Sequence, residues 1–205
     1  MARAYGKQVE RPRYSGGTTW SVTQILSAAG VAPDFTGIPR DRLMAKAAMG
    51  TVVHELIESY LRADGSFLEL HTQADEKALF YFDCWMKFFE SCKEFEPLHL
   101  EGEMVTPRYA GTVDFVGKID GTKAVCDWKT SIETYPHYRL QLTGYLHLAS
   151  EVFKINPEEY ELWCVRLTNI GKVGYKIDKY EPDHATWLGC LSVFEFKLRN
   201  GLWPT

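Results

Sequence analysis

The hydrophobic period of this chain changes near Pro97, and that change limits the folds open to it. Before it, apolar residues recur at three- and four-residue intervals. Leu43, Ala47, Val53, Ile57 and Leu61 predict a helix over about 41–61, and Leu79, Phe82, Met86 and Phe89 predict another over about 73–95. A shorter helix over 21–29, capped by Ser21 or Thr19, precedes them, and the Gly and Pro content of 30–39 marks a loop. After Pro97 the period falls to two. Segments 100–106, 110–119 and 124–128 read as strands of an antiparallel meander, with a turn at Asp120-Gly121. Helical spacing returns over 138–153, a hairpin follows from 161–167 to 173–180 across 169–172, and a last helix spans 183–199. The expected fold class is α/β or α+β: a central mixed β-sheet flanked by helices, with an N-terminal helical region over 1–97 and the sheet core over 98–205. A chain of 205 residues can bury one such core without disulfide staples.

Composition narrows the function classes. The apolar runs are far shorter than the roughly 20 residues that cross a bilayer, so no membrane partner is expected. Arg3, Lys7, Arg11 and Arg13 near the N-terminus are not followed by an apolar stretch, unlike a secretory signal, and cytoplasmic residence is the expectation. The five cysteines are odd in number, widely spaced and never C-x-x-C, which predicts reduced thiols and no zinc or iron–sulfur site. A net charge of −4 opposes generalised phosphate binding. A local basic groove beside acidic metal ligands would still cancel in that total.

Chemistry concentrates in Gly111-Thr112-Val113-Asp114 and, thirteen positions after Asp114, Asp127-Trp128-Lys129. Alternate residues of a strand share a face, so Asp127 and Lys129 project together while Trp128 projects away. Asp114, on the neighbouring strand, can come within reach of Asp127, and paired carboxylates favour a hard divalent cation such as Mg²⁺ or Mn²⁺. A lysine beside them can steady charge on a phosphate or hold an attacking water. Alone, acid-x-lysine is common on surface strands as a weak ion pair. Two further pairs add weight. His54 and Glu58 lie one turn apart on a helix, where an imidazole can ligate metal, and Gln141 and Tyr145 share the face of the helix after the strands.

Taken in order, Gly50, His54 and Glu58, a strand glutamate, Gly111-x-x-Asp114, Asp127-x-Lys129 and Gln141-x-x-x-Tyr145 resemble the RecB-like branch of the PD-(D/E)XK nucleases over about 21–149. Ser21-Val22-Thr23, Asp127-Trp128-Lys129-Thr130-Ser131 and Leu140-Gln141 make the chain similar to the mitochondrial genome-maintenance exonucleases within it. It also looks like RecB-type and CRISPR-associated nucleases and, more distantly, the lambda exonucleases. The resemblance implies a restriction-endonuclease-like core, one or two Mg²⁺ or Mn²⁺ ions, and hydrolysis of DNA, with an exonuclease preferring single strands as the leading form. It assigns His54, Asp114, Asp127 and the backbone carbonyl of Trp128 to metal, with Lys129 acting on water or phosphate. Gln141 and Tyr145 would support the site. Asp127 stands where many relatives have Glu, and the iron–sulfur cysteines of some relatives are missing.

Glu101 and Glu103 share a face, and Glu103 is the favoured strand glutamate. For DNA contacts, Arg139 is the leading residue, with Arg108, Tyr138 and Ser21 beside it; Arg3, Lys7, Arg11, Arg13, Lys118, Tyr109 and Tyr135 are further options. The alternatives to an exonuclease are a DNA endonuclease, a non-catalytic nucleic-acid-binding module on the same fold, or a subunit that makes protein contacts through Phe194, Phe196, Leu198 and Trp203. A phage or bacterial recombination or repair setting accompanies the leading reading.

Overall fold

A computed structural model describes residues 13–14, 17–33, 37–63, 65–168 and 173–202. A two-stranded ribbon, β1 (Arg13–Tyr14) and β2 (Gly17–Thr18), leads into α1 (Val22–Ala29), α2 (Arg40–Arg62), α3 (Phe67–Gln73) and α4 (Glu76–Ser91). Then come β3 (Phe95–Val105), β4 (Ala110–Ile119), β5 (Thr122–Lys129), α5 (Pro136–Phe153), a 3₁₀ turn over Pro157–Glu159, β6 (Glu161–Leu167), β7 (Tyr175–Tyr180) and α6 (His184–Arg199). Strands β3 to β7 form one sheet in sequence order. All neighbours are antiparallel except β5 and β6. Parallel neighbours need a crossover, and α5 supplies it, started by Pro136 in its first turn. The result is the expected α+β arrangement, a mixed five-stranded sheet flanked by six helices among the described residues and compatible with a restriction-endonuclease-like core.

Each face of the sheet carries its own apolar layer. On one, α1, α5 and α6 bury Ile25, Leu146, Trp187 and Phe194 against Val113 and Val125. On the other, α2 and α4 bury Leu56, Trp85 and Phe88 against Phe115 and Trp128. Strand β4, covered on both sides, is almost wholly buried. Of α2's 23 residues, only the C-terminal half packs, through Val53, Leu56, Ile57 and Ser59. Its first residues are mostly exposed, and several of them line a cleft.

The structure departs from the expected elements at both ends of the second long helix. The helix expected over 73–95 starts only at Glu76, because Asp75 caps α4 by accepting from the Ala78 N–H at 2.7 Å, and the short helix α3 before it was not expected. Helix α4 ends at Ser91, not at Pro97. Phe95 and Pro97 already belong to β3, an edge strand with a register shift between Pro97 and His99, where a residue without an N–H is tolerated. Ser21, rather than Thr19, caps α1, in a reciprocal box with Gln24. The hairpin turn at 169–172 lies outside the described residues. Among those described, no helix is long and apolar enough to cross a membrane.

Candidate active site

Strands β4 and β5 pair from Ile119↔Thr122 as far as Phe115↔Cys126 and then part. Beyond that point the Trp128 N–H donates to Asp114 Oδ2 at 2.6 Å, so a carboxylate takes the place of a ladder carbonyl. Strand β5 continues along β6 to Lys129↔Arg166, and the opening on its other side is the floor of a cleft. Asp114 and Asp127 are both buried there. Lys129 Nζ stands 2.5 Å from Asp127 Oδ2, on the face that strand alternation assigns to both.

The packed half of α2 brings in His54. Its Nε2 donates to the Trp128 carbonyl at 3.1 Å, and its Nδ1 faces Asp114 Oδ1 at 3.2 Å and Glu101 Oε1 at 3.4 Å. Burial disfavours a charged imidazole, but Asp114 and then Glu101 outweigh it and hold the ring's pKa well above its ordinary value. Glu101 has a left-handed backbone, φ 44°, where β3 passes Asp114, a conformation that costs a non-glycine residue about 1–2 kcal/mol. Strain of this kind persists where surrounding contacts demand it. Here the contact is the Glu101 carboxylate against His54.

On the other side of the opening, burial pushes the Asp127 carboxyl up, Lys129 pulls it down and Asp114 raises it again, with a net upward direction. Burial also opposes the Lys129 ammonium, yet the facing Asp127 keeps it charged. Gln141, from α5, donates to the Tyr145 hydroxyl at 2.9 Å and reaches Asp127 Oδ1 at 3.5 Å. Asp127 Oδ2 is buried beside the ammonium but has no hydrogen bond of proper direction. Such an oxygen has lone pairs available to a cation.

These donors suit a metal. One ligand atom from each of His54, Glu101 and Asp114 falls in a group whose members are all within 4.8 Å of one another. Carboxylate oxygens suit hard divalent ions, and an imidazole extends the set toward the first-row transition metals. The cleft above them has a volume of about 690 Å³. Part of its lining is the N-terminal half of α2, including Arg40, Leu43, Met44 and Lys46; another part is Tyr135, His137 and Tyr138. The His137 and Tyr138 ring centroids are 4.7 Å apart, and Lys129 Nζ lies 5.5 Å from the Tyr138 ring. Burial, followed by the Lys129 charge and against a smaller pull from Asp127, pushes the His137 pKa down to about 4.

The fold therefore brings together His54, Asp114, Asp127, the Trp128 carbonyl, Lys129, Gln141 and Tyr145. Glu103 is not among them. It is exposed and pairs with Thr112, two residues farther along the sheet, whereas Glu101 is the glutamate against His54. Glu58 lines the cleft and bonds Arg62 at 2.8 Å. Of the residues expected at DNA, Tyr138 lines the cleft, with its hydroxyl 3.1 Å from Ser131 Oγ. The other three are engaged elsewhere. Arg108 pairs with Glu195, Arg139 donates to the Glu181 carbonyl at 2.7 Å, and Ser21 caps α1. Lys118 faces Glu96, and Tyr109 is buried against Trp187. Tyr135 lines the cleft. Arg3, Lys7 and Arg11 lie outside the described residues, as does Trp203; of Arg13 only the backbone is described. Phe194 is core, while Phe196 is exposed. All five cysteines are free thiols.

Sequence reasoning missed Glu101 as the preferred acid, the Leu43–Lys46 wall and His137. A signal existed for the wall: the first turns of α2 mix Arg, Lys, Met and Ala without a clean apolar stripe, as a helix that does not pack along its length would.

No family model matches the chain, and neither does any curated protein. Among solved structures, it is similar to a Eubacterium rectale protein provisionally described as an exonuclease, at 12% identity and a TM-score of 0.46, covering 91% of this chain and 74% of that one. It is also similar to the protein SSO0001, at 14% identity and a TM-score of 0.32, covering 87% of this chain and 84% of that one.

Proposed function

We propose that the protein is a metal-dependent DNA nuclease of the RecB-like PD-(D/E)XK type, an exonuclease with a preference for single strands. The observation that carries this reading is the contact of Asp127 with Lys129 on β5, beside the Asp114 carboxylate set into the strand opening. His54, Glu101, Asp114, Asp127 and the Trp128 carbonyl would hold one or two Mg²⁺ or Mn²⁺ ions. The bound ion supplies phosphate neutralisation and a more acidic water. Lys129, kept as an ammonium by Asp127, faces charge that develops on the scissile phosphate. Gln141, itself bonded to Tyr145, steadies the Asp127 carboxylate from behind. The reading treats 1–205 as one nuclease domain acting in the cytoplasm of a bacterium or phage-infected host, in DNA recombination, repair or processing.

The test is incubation with end-labelled linear and circular DNA, single- and double-stranded, in Mg²⁺, Mn²⁺ or EDTA, beside Asp127→Ala and Lys129→Ala. Metal-dependent loss of linear DNA, fastest for single strands, is expected, with a fall of at least about 100-fold in either variant. No cleavage with either metal refutes the nuclease; cutting of circles replaces the exonuclease with an endonuclease.

A further inference from the structure

The acidic floor of the cleft accounts for cation and phosphate chemistry, but its walls do not. Besides Arg40 and Lys46, which suit a phosphate, they carry apolar and aromatic side chains that phosphate does not need. Tyr135, His137 and Tyr138 form a ring cluster on one side, with centroids 4.7 to 5.7 Å apart. From α2, which lines the same cleft, come Met44, 45% exposed, and Leu43, half-buried. Lys46 stands beside them on the same wall.

We propose that these walls hold one unpaired nucleobase of the substrate strand, in contact with His137 and Tyr135 and with Leu43 and Met44. This rests on the nuclease reading above and names the part of the substrate recognised by the same site. Three observations support a base as the occupant. The wall adjoins the chemistry: Lys129 is 5.5 Å from the Tyr138 ring, which touches the His137 ring, so a base attached at or next to the scissile phosphate reaches it. The division of charge orients a nucleotide, with carboxylates and the lysine on the floor for a metal-bound phosphate and Lys46 beside the apolar wall for a neighbouring one. Finally, every base offers a π face to an aromatic ring regardless of sequence. In a duplex those faces are stacked inside the helix. The wall therefore selects unpaired strands by what it touches rather than by cleft width.

Single-stranded oligonucleotides carrying one abasic nucleotide at successive positions test this. Affinity is read by fluorescence anisotropy in Ca²⁺, and single-turnover cleavage of each bond in Mn²⁺, for wild type, His137→Ala and Met44→Ser. Stacking is worth about 1–3 kcal/mol per base, so an abasic nucleotide at one register should slow cleavage there by about 5- to 150-fold. His137→Ala should cause a similar loss on intact DNA and no further loss at the abasic register. Met44→Ser, on an exposed helix turn, repeats the test from the α2 wall should His137→Ala fail to fold. Wild type that cuts every register alike, or losses that multiply, overturns the base site and leaves the nuclease standing. Wild type that shows the abasic penalty in binding yet cuts nothing overturns the nuclease and keeps the base site.

Discussion

Binding of Mn²⁺ to the metal-free protein should expel a proton from His54, and the structure sets the sign and size of the effect. Burial disfavours the charged imidazole, but Asp114 and then Glu101, both facing one of its nitrogens, hold its pKa well above about 6.5. A group raised on folding stabilises the metal-free protein fully below that unfolded value, and the contribution is lost as pH rises through the folded value. A cation that uses the same carboxylates must displace this proton. Affinity should therefore rise about tenfold per pH unit between pH 6 and the raised pKa, or about 1.36 kcal/mol per unit. The upward direction for Asp127 acts in the same sense. At a hundredfold excess over Kd the ion adds about 2.7 kcal/mol, which for a chain of this size is about 5–10 °C in Tm. Calorimetric titration in two buffers of different ionisation enthalpy should count about one proton released, and His54→Ala should remove most of the pH dependence. A pH-independent affinity with no proton release, or no thermal shift at any Mn²⁺ concentration, would refute the assignment of His54, Asp114 and Glu101 to a cation.

Two further substitutions probe how the site is held. A Cβ on Gly111 would sit 2.8 Å from Tyr145 Cε1 and 3.1 Å from Leu148 Cδ1, so Gly111→Ala should cost about 1–3 kcal/mol in urea unfolding and displace the tyrosine from Gln141. Adding Tyr145→Leu should recover stability but not cleavage; recovery of both would show that Tyr145 serves only as packing. Arg166, buried on β6, pairs with Asp178 at 2.5 Å and donates to the Ile132 carbonyl, tying the 130–135 turn to the sheet. Arg166→Met should lower stability by about 3 kcal/mol and loosen the turn in hydrogen exchange. Unchanged exchange at 130–135 would remove Arg166 as its anchor.

Local periodicity determined a good deal by itself. Strand alternation is a backbone property, so Asp127 and Lys129 had to share a face wherever β5 came to lie. Helical spacing similarly placed Gln141 and Tyr145 together, and they bond directly. The shift from a period near 3.6 to a period of two exposed the sheet and its helical flanks, although it ran α4 on into the start of β3. There the period is ambiguous over a few residues, and a long-range contact settles it: Asp120 accepts from the Lys93 and Glu94 N–H groups at 2.6 and 2.9 Å.

Register, by contrast, lies between segments distant in the chain, and only the tertiary structure decided it. Glu101 and Glu103 are equivalent by alternation, and the one that meets His54 is set by which residue of β3 stands beside Asp114. The parting of β4 from β5, with Asp114 in the ladder's place, has no signature in either strand alone. The basic residues were the least legible. A surface arginine reads the same whether it faces a substrate or a carboxylate, and Arg108 and Arg139 face Glu195, Asp183 and the Glu181 carbonyl. The chemistry of this chain was written in short local spacings. The walls around that chemistry come from packing between distant segments, which local sequence cannot encode.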